Sequence, residues 1–255
     1  MKDFQGKVAV VTGAASGIGY AMAERLAREG MKIAMADRDP DALEAASRRL
    51  AASGHDVRPF VTDVSRADSV AELAEATLKA WRTIHVVCNN AGIGGGGADS
   101  LPLWETPSSV WSWALGVNLW GVIHGIQTFV PILMAHGQEA HIVNTASRAG
   151  LVSGWGVYGV TKHAVVALSE SLSAQLQLAG ARIGVTVLCP SAGKTNLMRS
   201  GALAPADGIR ESHVPSSVSA KPDFMKRYRD LLEARVAVGR EPHEIAQLML
   251  DAMRH

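Results

Sequence analysis

The sequence predicts an α/β fold, in which helices cover both faces of one doubly wound parallel sheet. Short apolar segments alternate with segments of helical periodicity, and this alternation is typical of repeated strand-helix-strand units. No internal repeat and no linker-like stretch divides the 255 residues, so we predict a single domain over residues 1–255. The predicted strands lie near residues 7–12, 32–36, 57–61, 84–89, 140–145 and 183–188.

The first predicted strand runs into a glycine-rich turn. Residues 7–12 read K-V-A-V-V-T, the turn follows with Gly13, Gly17 and Gly19, and a helical pattern covers residues 20–28. Glycines let the backbone approach a pyrophosphate closely, and the N–H groups that open the next helix point at it. The spacing G-x-x-x-G-x-G departs from the usual G-x-G-x-x-G, and such a turn can also serve only to reverse the chain.

The second predicted strand ends at Asp37, about 20 residues beyond the glycine turn, where a carboxylate can bind a ribose 2′-hydroxyl. Because a 2′-phosphate would meet this negative charge, Asp37 favours NAD. The neighbouring Arg38 leaves NADP open. A helix-capping or turn role for Asp37 is the alternative, although Asp39 or Asp41 can fill it equally well.

Ser147, Tyr158 and Lys162 form the most informative constellation in the chain. Tyr158 opens a segment of helical periodicity, so Lys162 lies on the same helical face one turn later. Lowering a phenol pKa from about 10 to about 7 requires roughly 4 kcal/mol of phenolate stabilisation, which a nearby ammonium supplies. Ser147, at the end of the preceding strand, can then hold a carbonyl oxygen while Tyr158 transfers the proton. A Tyr-Lys pair at this spacing also occurs as solvated neighbours on helix surfaces.

Together these motifs resemble the short-chain dehydrogenase/reductase family, in its compact single-domain branch with one Rossmann-type sheet. The resemblance spans about residues 4–255. It rests on motifs that occur in the family's order: the glycine turn from Thr12 to Gly19, Asp63-Val64 after the third strand, Asn89-Asn90-Ala91-Gly92 after the fourth, Asn118 in V-N-L-W-G, and Ser147 with Tyr158-x-x-x-Lys162.

The resemblance implies a role for each matching residue. Tyr158 is the expected acid/base, and Ser147 orients the substrate oxygen. Lys162 binds the nicotinamide ribose and lowers the pKa of the Tyr158 phenol. Asn118 holds a helix kink, where a water continues a proton relay. A purely structural hydrogen bond is the alternative for Asn118. The implied NAD-binding residues are Gly13, Ser16, Gly17, Ile18, Gly19, Asp37, Arg38, Asp63, Val64, Asn90, Ala91, Gly92, Tyr158, Lys162, Pro190 and Thr195.

Two departures limit this transfer, and the resemblance also implies a lid. Ser191 stands where the family has glycine after Pro190, and a residue with a Cβ restricts that turn. The long segment 193–239 is expected to close over the substrate as a lid, or to be a surface insertion. Family members add a seventh strand after a helix like 244–253, whereas this sequence stops at His255, so that strand is expected to be missing.

The composition limits the classes of binding partner and the cellular location that we expect for the protein. A net charge of +1 gives no signal for nucleic acid or a membrane surface, and no metal-ligand spacing is present. Cys88 and Cys189 lie in apolar segments and are expected to be buried, reduced thiols. We saw no secretory signal and no apolar run as long as a membrane span, which indicates a cytoplasmic protein. His124 and His163 flank the predicted catalytic helices and are expected to be structural.

The substrate and the assembly are the least determined features. Trp155 is expected to face the substrate pocket, whereas Trp104, Trp111 and Trp113 could line it or pack between helices. Aromatic walls with few charges favour a bulky, apolar or aromatic secondary alcohol or ketone. The helices near residues 108–134 and 158–178 carry the dimer contact in relatives, so we expect a homodimer or homotetramer. A non-catalytic dinucleotide-binding protein is the alternative of another class.

Overall fold

The computed structural model describes residues 1–94, 103–191, 193, 195, 197 and 239–255. The predicted lid at 193–239 lies outside this part of the chain, apart from Gly193, Thr195, Leu197 and Gly239. The glycine run that ends at Gly97 lies outside it beyond Gly94.

One parallel sheet of six strands organises the described residues, which confirms the predicted fold class. Its strands are β1 (Val8–Thr12), β2 (Lys32–Asp37), β3 (Val57–Val61), β4 (Val86–Asn89), β5 (Ala140–Thr145) and β6 (Ile183–Leu188). The spatial order is β3-β2-β1-β4-β5-β6. The strand order therefore reverses between β1 and β4, and in such sheets ligands bind beyond the carboxyl ends of the strands at this reversal.

Helices connect the strands and cover both faces of the sheet. They are α1 (Gly17–Arg28), α2 (Pro40–Ala52), α3 (Ala67–Trp81), α4 (Ser108–Leu115), α5 (Gly121–His136), α6 (Gly156–Leu178) and α7 (Pro242–Arg254). One apolar cluster joins α1 and α7 to one face, and includes Met22, Leu26 and Met249. A second cluster on the other face includes Leu73 of α3 and Phe129 of α5. Burial of these side chains fixes the strands relative to one another, so their carboxyl ends form one rigid edge of the sheet.

The helix predicted near residues 108–134 is interrupted by a π-helical turn. Gly116–Trp120 forms this turn between α4 and α5, so the whole helical run extends from Ser108 to His136. Such turns arise where the regular hydrogen-bond ladder is displaced by one residue, and they are frequent at functional sites.

This helical run also corrects one expectation from the sequence. Ser108–His136 is long and apolar enough to cross a membrane, and 33% of its most apolar window is buried. A single helix of this kind is weak evidence for a membrane span, because core helices of water-soluble proteins have the same length and composition. In this structure α5 packs against α3 and β4.

Buried histidines near the amino ends of the strands make stability depend on pH. Burial lowers the pKa of His141 on β5 from 6.5 to about 4, and burial also lowers the pKa of His85. His85 is locked in its neutral form, because its Nδ1 accepts the Val8 N–H at 3.1 Å. A lowered folded-state pKa means that the unfolded chain takes up protons first as the pH falls.

We therefore expect the contribution of His141 to the free energy of unfolding to be fully present above its unfolded-state pKa of 6.5 and to be lost as the pH falls from 6.5 to about 4. The slope from His141 is at most about 1.4 kcal/mol per pH unit. Urea unfolding at pH 7.5, 5.5 and 4.5 measures it. His141→Phe, which keeps a ring but cannot titrate, should flatten the dependence. An equally steep dependence in this variant would contradict the assignment to His141.

Candidate functional site

The glycine turn lies at the carboxyl end of β1, directly before α1. Gly13 and Gly17 have φ values of +67° and +55°, a backbone region that side chains disfavour. A Cβ on Gly19 would lie 2.1 Å from the Gly13 carbonyl oxygen. Ser16 caps α1, yet among the described residues its side chain makes no capping hydrogen bond. The amide N–H groups of the first turn of α1 therefore face the edge of the sheet without a side-chain acceptor from Ser16, as an anion site requires.

Thr12 and Asn90 connect the ends of β1 and β4 across the reversal in strand order. The Thr12 hydroxyl oxygen accepts the N–H groups of Asn90 and Ala91 at 2.9 and 3.0 Å, and it donates to the Cys88 carbonyl at 3.2 Å. The Asn90 side-chain amide donates to the Thr12 carbonyl at 3.0 Å. Asn90 and Ala91 thus form the wall opposite the glycine turn, and a Cβ on Gly13 would lie only 2.9 Å from the Ala91 Cα.

Asp37 ends β2 beside the same turn. Its carboxylate accepts the Ala15 N–H at 3.1 Å and the Asp39 N–H at 3.2 Å. The capping alternative belongs to Asp39, whose side chain accepts the Ala42 N–H at the start of α2. Asp37 therefore projects a negative charge at the glycine turn, and the exposed Arg38 follows it.

Asp63 and Val64 follow β3 on the same edge. The Asp63 carboxylate accepts both the backbone N–H and the hydroxyl of Ser65, at 3.0 and 2.7 Å. Val64 is buried against Gly121 of α5, and its carbonyl bonds to the ring of His124 at 2.9 Å. His124 therefore has a structural contact, as expected. His163 also bonds to a backbone carbonyl, that of Gly159.

Lys162 and Tyr158 lie together on α6, at the carboxyl end of β5. The Lys162 ammonium is 5.7 Å from the centroid of the Tyr158 ring, and it donates to the Thr145 carbonyl at 2.9 Å. Lys162 is buried, with 3% of its surface exposed, and burial lowers its pKa to about 8. This pKa is still above 7, so the ammonium remains mostly protonated at neutral pH and can stabilise a phenolate.

Ser147 lies just past the end of β5 and caps a short 3-10 turn, Arg148–Gly150. Its Oγ accepts the Ala149 N–H at 3.1 Å, so its own hydroxyl proton is available to an oxygen in the pocket. Pro190, after β6, approaches the same loop and accepts the Arg148 N–H at 2.8 Å.

Asn118 occupies the middle of the π-helical turn and is 1% exposed. Its Oδ1 accepts the Ile93 N–H at 2.8 Å, and its Nδ2 donates to the Ile93 carbonyl at 3.0 Å and to the Thr161 hydroxyl at 3.2 Å. The π-helical turn, the loop after β4 and α6 therefore meet at this amide. The hydrogen bonds of the structural alternative are present, and they place the amide beside Lys162.

The turn after β6 reaches the glycine loop through Thr195. The methyl group of Thr195 lies 3.3 Å from the position of a Cβ on Gly17. Ser191, the departure from the family pattern, is exposed.

Cys189 is a free thiol that is half-buried rather than buried, which corrects the expectation for this residue. Burial raises its pKa, and the Ser147 N–H and the Lys162 ammonium oppose that rise.

The tryptophans take different positions around the site. Trp155 is half-buried and immediately precedes α6, with its Cβ 2.7 Å from the position of a Cβ on Gly159. Trp104 is 76% exposed, and Trp111 and Trp113 are half-buried on α4. Leu151 and Val152, which the sequence did not single out, are 58% and 43% exposed just after the Ser147 loop.

Sequence analysis missed two threonines that hold the site together, Thr145 and Thr161, and named Thr12 only as the first residue of the glycine turn. Thr12, Thr145 and Thr161 each bind one of the predicted functional residues, and all three are buried. Thr145 also donates its hydroxyl to the Asn90 side chain at 3.2 Å. A polar residue at the last position of a buried strand was the available signal for Thr12 and Thr145.

Comparison with known proteins agrees with this geometry. The family described as short chain dehydrogenase matches residues 7–204. The 1-deoxy-11-beta-hydroxypentalenate dehydrogenase of Streptomyces avermitilis is 39% identical over 218 residues, which are 85% of this chain and 79% of the relative. The CLA biosynthesis dehydrogenase/reductase of Lactiplantibacillus plantarum is 34% identical, over 88% of this chain and 74% of the relative.

A solved structure is also similar over nearly the whole chain. The short chain dehydrogenase/reductase from Burkholderia phymatum, in complex with NAD, has 39% identity and a TM-score of 0.88, and the match covers 99% of this chain and 87% of that chain. The fold and the matched sequence define a dinucleotide-dependent oxidoreductase with a single parallel sheet. The chain belongs to the short-chain dehydrogenase/reductase family.

Proposed function

We propose that the protein transfers hydride between NAD(H) and a bulky, apolar or aromatic secondary alcohol or ketone, with Tyr158 as the acid/base. The observation that carries the proposal is the position of Lys162, whose buried ammonium lies 5.7 Å from the Tyr158 ring at the edge that also holds the glycine turn. A solvated pair on a helix surface, the alternative for this spacing, would not bury the lysine.

The residues present fit a dinucleotide. Gly13 and Gly19 leave no room for a Cβ, so the chain can turn tightly at the end of β1 as a pyrophosphate-binding loop does, and the α1 N-terminus supplies N–H donors. Ser16 and Ile18 complete this turn, and Asp37 with Arg38 would bind the adenosine ribose. Asp63 and Val64 would border the adenine. Contacts on the nicotinamide side would come from Asn90, Ala91, Gly92, Tyr158, Lys162, Pro190 and Thr195.

The cofactor supplies the hydride acceptor at its nicotinamide ring, and the protein positions the substrate and moves the proton. In the oxidation direction, the Tyr158 phenolate accepts the proton of the substrate hydroxyl as the carbon loses hydride and the carbonyl forms. The Ser147 hydroxyl donates to the same oxygen and holds it near the phenol. Lys162 stabilises the phenolate, and Asn118 holds the loop beside Lys162. The reduction direction reverses these steps.

The apolar rim of the site supports the proposed substrate class. Leu151 and Val152 expose aliphatic surface next to Ser147, and Trp155 adds an aromatic ring before Tyr158. Apolar surface of this kind favours a bulky apolar molecule over a sugar or a charged acid. The relative from Streptomyces avermitilis is named as a dehydrogenase of a hydroxylated compound, which agrees with action on a hydroxyl group. The segment 193–239 is proposed to cover the substrate.

A screen that follows NAD reduction across bulky secondary alcohols tests the proposed activity. We expect turnover with aryl carbinols or polycyclic alcohols and little with sugars or hydroxy acids. Dinucleotide binding without turnover of any alcohol or ketone in the screen would favour the non-catalytic alternative.

NADP(H)-dependent carbonyl reduction is the second candidate, because Arg38 is exposed directly after Asp37. We expect calorimetry to show tighter binding of NADH than of NADPH, by about tenfold or more, since a 2′-phosphate would lie against the Asp37 carboxylate. Asp37→Ser should narrow or reverse this preference, because it removes the charge and leaves Arg38. Arg38→Gln is the matched control and should not favour NADPH. Tighter NADPH binding by the unaltered protein would contradict the role of Asp37.

A homodimer or homotetramer in the cytoplasm completes the proposal. Trp120 and Met134 of the helical run 108–136 expose 49% and 47% of their surface, and Val160 of α6 exposes 45%. Apolar surface on these helices suits a symmetric contact between copies. Light scattering that finds only monomer would contradict the assembly. Both cysteines are free thiols, which is consistent with a reducing compartment.

A further inference from the structure

Thr161 lies between the two predicted catalytic residues of α6 and has no assigned role. Its side chain is completely buried. The Oγ1 hydroxyl donates to the Tyr158 carbonyl at 2.8 Å and accepts the Asn118 amide Nδ2–H at 3.2 Å. Residues three and four apart share a helical face, so Thr161 and Lys162 both lie on the side of α6 that bears Tyr158.

Counting protons fixes the direction of these bonds. A threonine hydroxyl has one proton, and the Tyr158 carbonyl can only accept it. The hydroxyl oxygen therefore accepts a hydrogen bond from Asn118. The Asn118 Nδ2–H, and not its Oδ1, must face Thr161. This orientation is the one in which the Asn118 Oδ1 receives the Ile93 N–H at 2.8 Å. The hydrogen bond to Thr161 therefore ties the Asn118 side chain, in this orientation, to helix α6.

The orientation of Asn118 matters because its Oδ1 and the Lys162 ammonium lie next to the same residue, Gly92. A Cβ placed on Gly92 would lie 3.3 Å from the Asn118 Oδ1 and 3.4 Å from the Lys162 ammonium. The amide oxygen and the ammonium therefore both lie on the side of Gly92 where a side chain would stand. A rotation of the amide would break its two bonds to Ile93 and change the polar groups that lie near the Lys162 ammonium.

We propose that Thr161 is a positioning residue. Its hydroxyl fixes the orientation of the Asn118 amide, and thereby keeps the Lys162 ammonium in the position from which it stabilises the Tyr158 phenolate. This inference rests on the proposed function, since it assigns Thr161 a part in the acid/base work of Tyr158. Because Thr161 is completely buried, we assign it no direct contact with substrate or dinucleotide. Its effect reaches the reaction through Asn118 and Lys162.

The test compares Thr161→Val, which removes the hydroxyl at nearly constant volume, with Thr161→Ser, which restores it. We expect Thr161→Val to lower kcat by about tenfold to a hundredfold, because a buried amide N–H loses its acceptor. The acidic limb of the kcat–pH profile should move to higher pH, since a displaced ammonium stabilises the phenolate less. Thr161→Ser should stay within about threefold of the unaltered enzyme, and the Kd of NADH should change little in both variants.

Thr77→Val is the matched control. Thr77 is also a completely buried helical threonine, and its hydroxyl donates to the Leu73 carbonyl at 2.7 Å within α3, away from the site. We expect this variant to lose stability without a change in kcat or in the pH profile. If the valine at position 161 prevents folding, Thr161→Ala supplies the same loss of the hydroxyl.

Three results would overturn the inference. They are a folded Thr161→Val enzyme with the original kcat and pH profile, a Thr161→Ser enzyme as impaired as Thr161→Val, and an equal loss of kcat in Thr77→Val. Tyr158→Phe distinguishes these from failure of the proposed function. An inactive Tyr158→Phe beside an unimpaired Thr161→Val removes only the inference about Thr161, whereas a fully active Tyr158→Phe removes the acid/base assignment itself.

Discussion

Replacing Tyr158 with phenylalanine should reduce kcat by about a hundredfold to ten-thousandfold, the range that a positioned acid/base contributes. The change removes one oxygen and keeps the ring that lies beside the Lys162 ammonium. Because the ring stays, the fold and the dinucleotide pocket should be preserved. The substrate hydroxyl then has no group that can take its proton as hydride leaves.

Steady-state kinetics with an alcohol identified in the screen, together with NADH calorimetry, measures this effect. Tyr20→Phe is the matched control, since it removes a phenol oxygen from a ring that packs under the Arg49 guanidinium. We expect this control to retain the original kcat. A Tyr158→Phe enzyme that binds NADH normally and turns over at the original rate would rule out the assigned role.

The strands could be predicted within two residues because their signal is local. Each of the six segments is short, apolar and bounded by turn or helix patterns, and the observed strands fall inside the predicted ranges apart from one added residue, Asp37. The parallel arrangement followed from the alternation with helices. Since parallel strands share one carboxyl edge, the order of the strands along the chain places the glycine turn, Asn90 and Ser147 together.

The supporting contacts of the site could not be predicted in the same way. The partner of Thr161 is Asn118, 43 residues earlier in the chain, and this pairing depends on the π-helical turn Gly116–Trp120. The resemblance implied a helix kink at Asn118, but not its contact with Thr161. Cys189 was expected to be buried because its strand is apolar, but β6 is the edge strand of the described sheet and is only partly covered. Local patterns specify elements, whereas these contacts depend on how the elements pack.

Gly19 offers the sharpest test of the dinucleotide site. A methyl group at this position would lie 2.1 Å from the Gly13 carbonyl oxygen and 2.6 Å from the Asn90 Nδ2. Neither atom can withdraw easily. Gly13 is held in a left-handed conformation, and the Asn90 amide is bound to the Thr12 carbonyl at 3.0 Å. The glycine turn must therefore move away from the end of β4, or the link between β1 and β4 must break.

We expect Gly19→Ala to weaken NADH binding by about fivefold to 150-fold, which corresponds to the 1–3 kcal/mol that overpacking typically costs. Calorimetry measures the affinity, and thermal unfolding shows whether the fold persists. Gly116→Ala is the matched control: its Cβ would lie 3.7 Å from the Ser65 Cβ, which is ordinary contact, so it should bind NADH normally. Unchanged affinity in a folded Gly19→Ala protein would mean that the pyrophosphate does not depend on the close approach of this turn, because the methyl group cannot be accommodated with the turn in its present position.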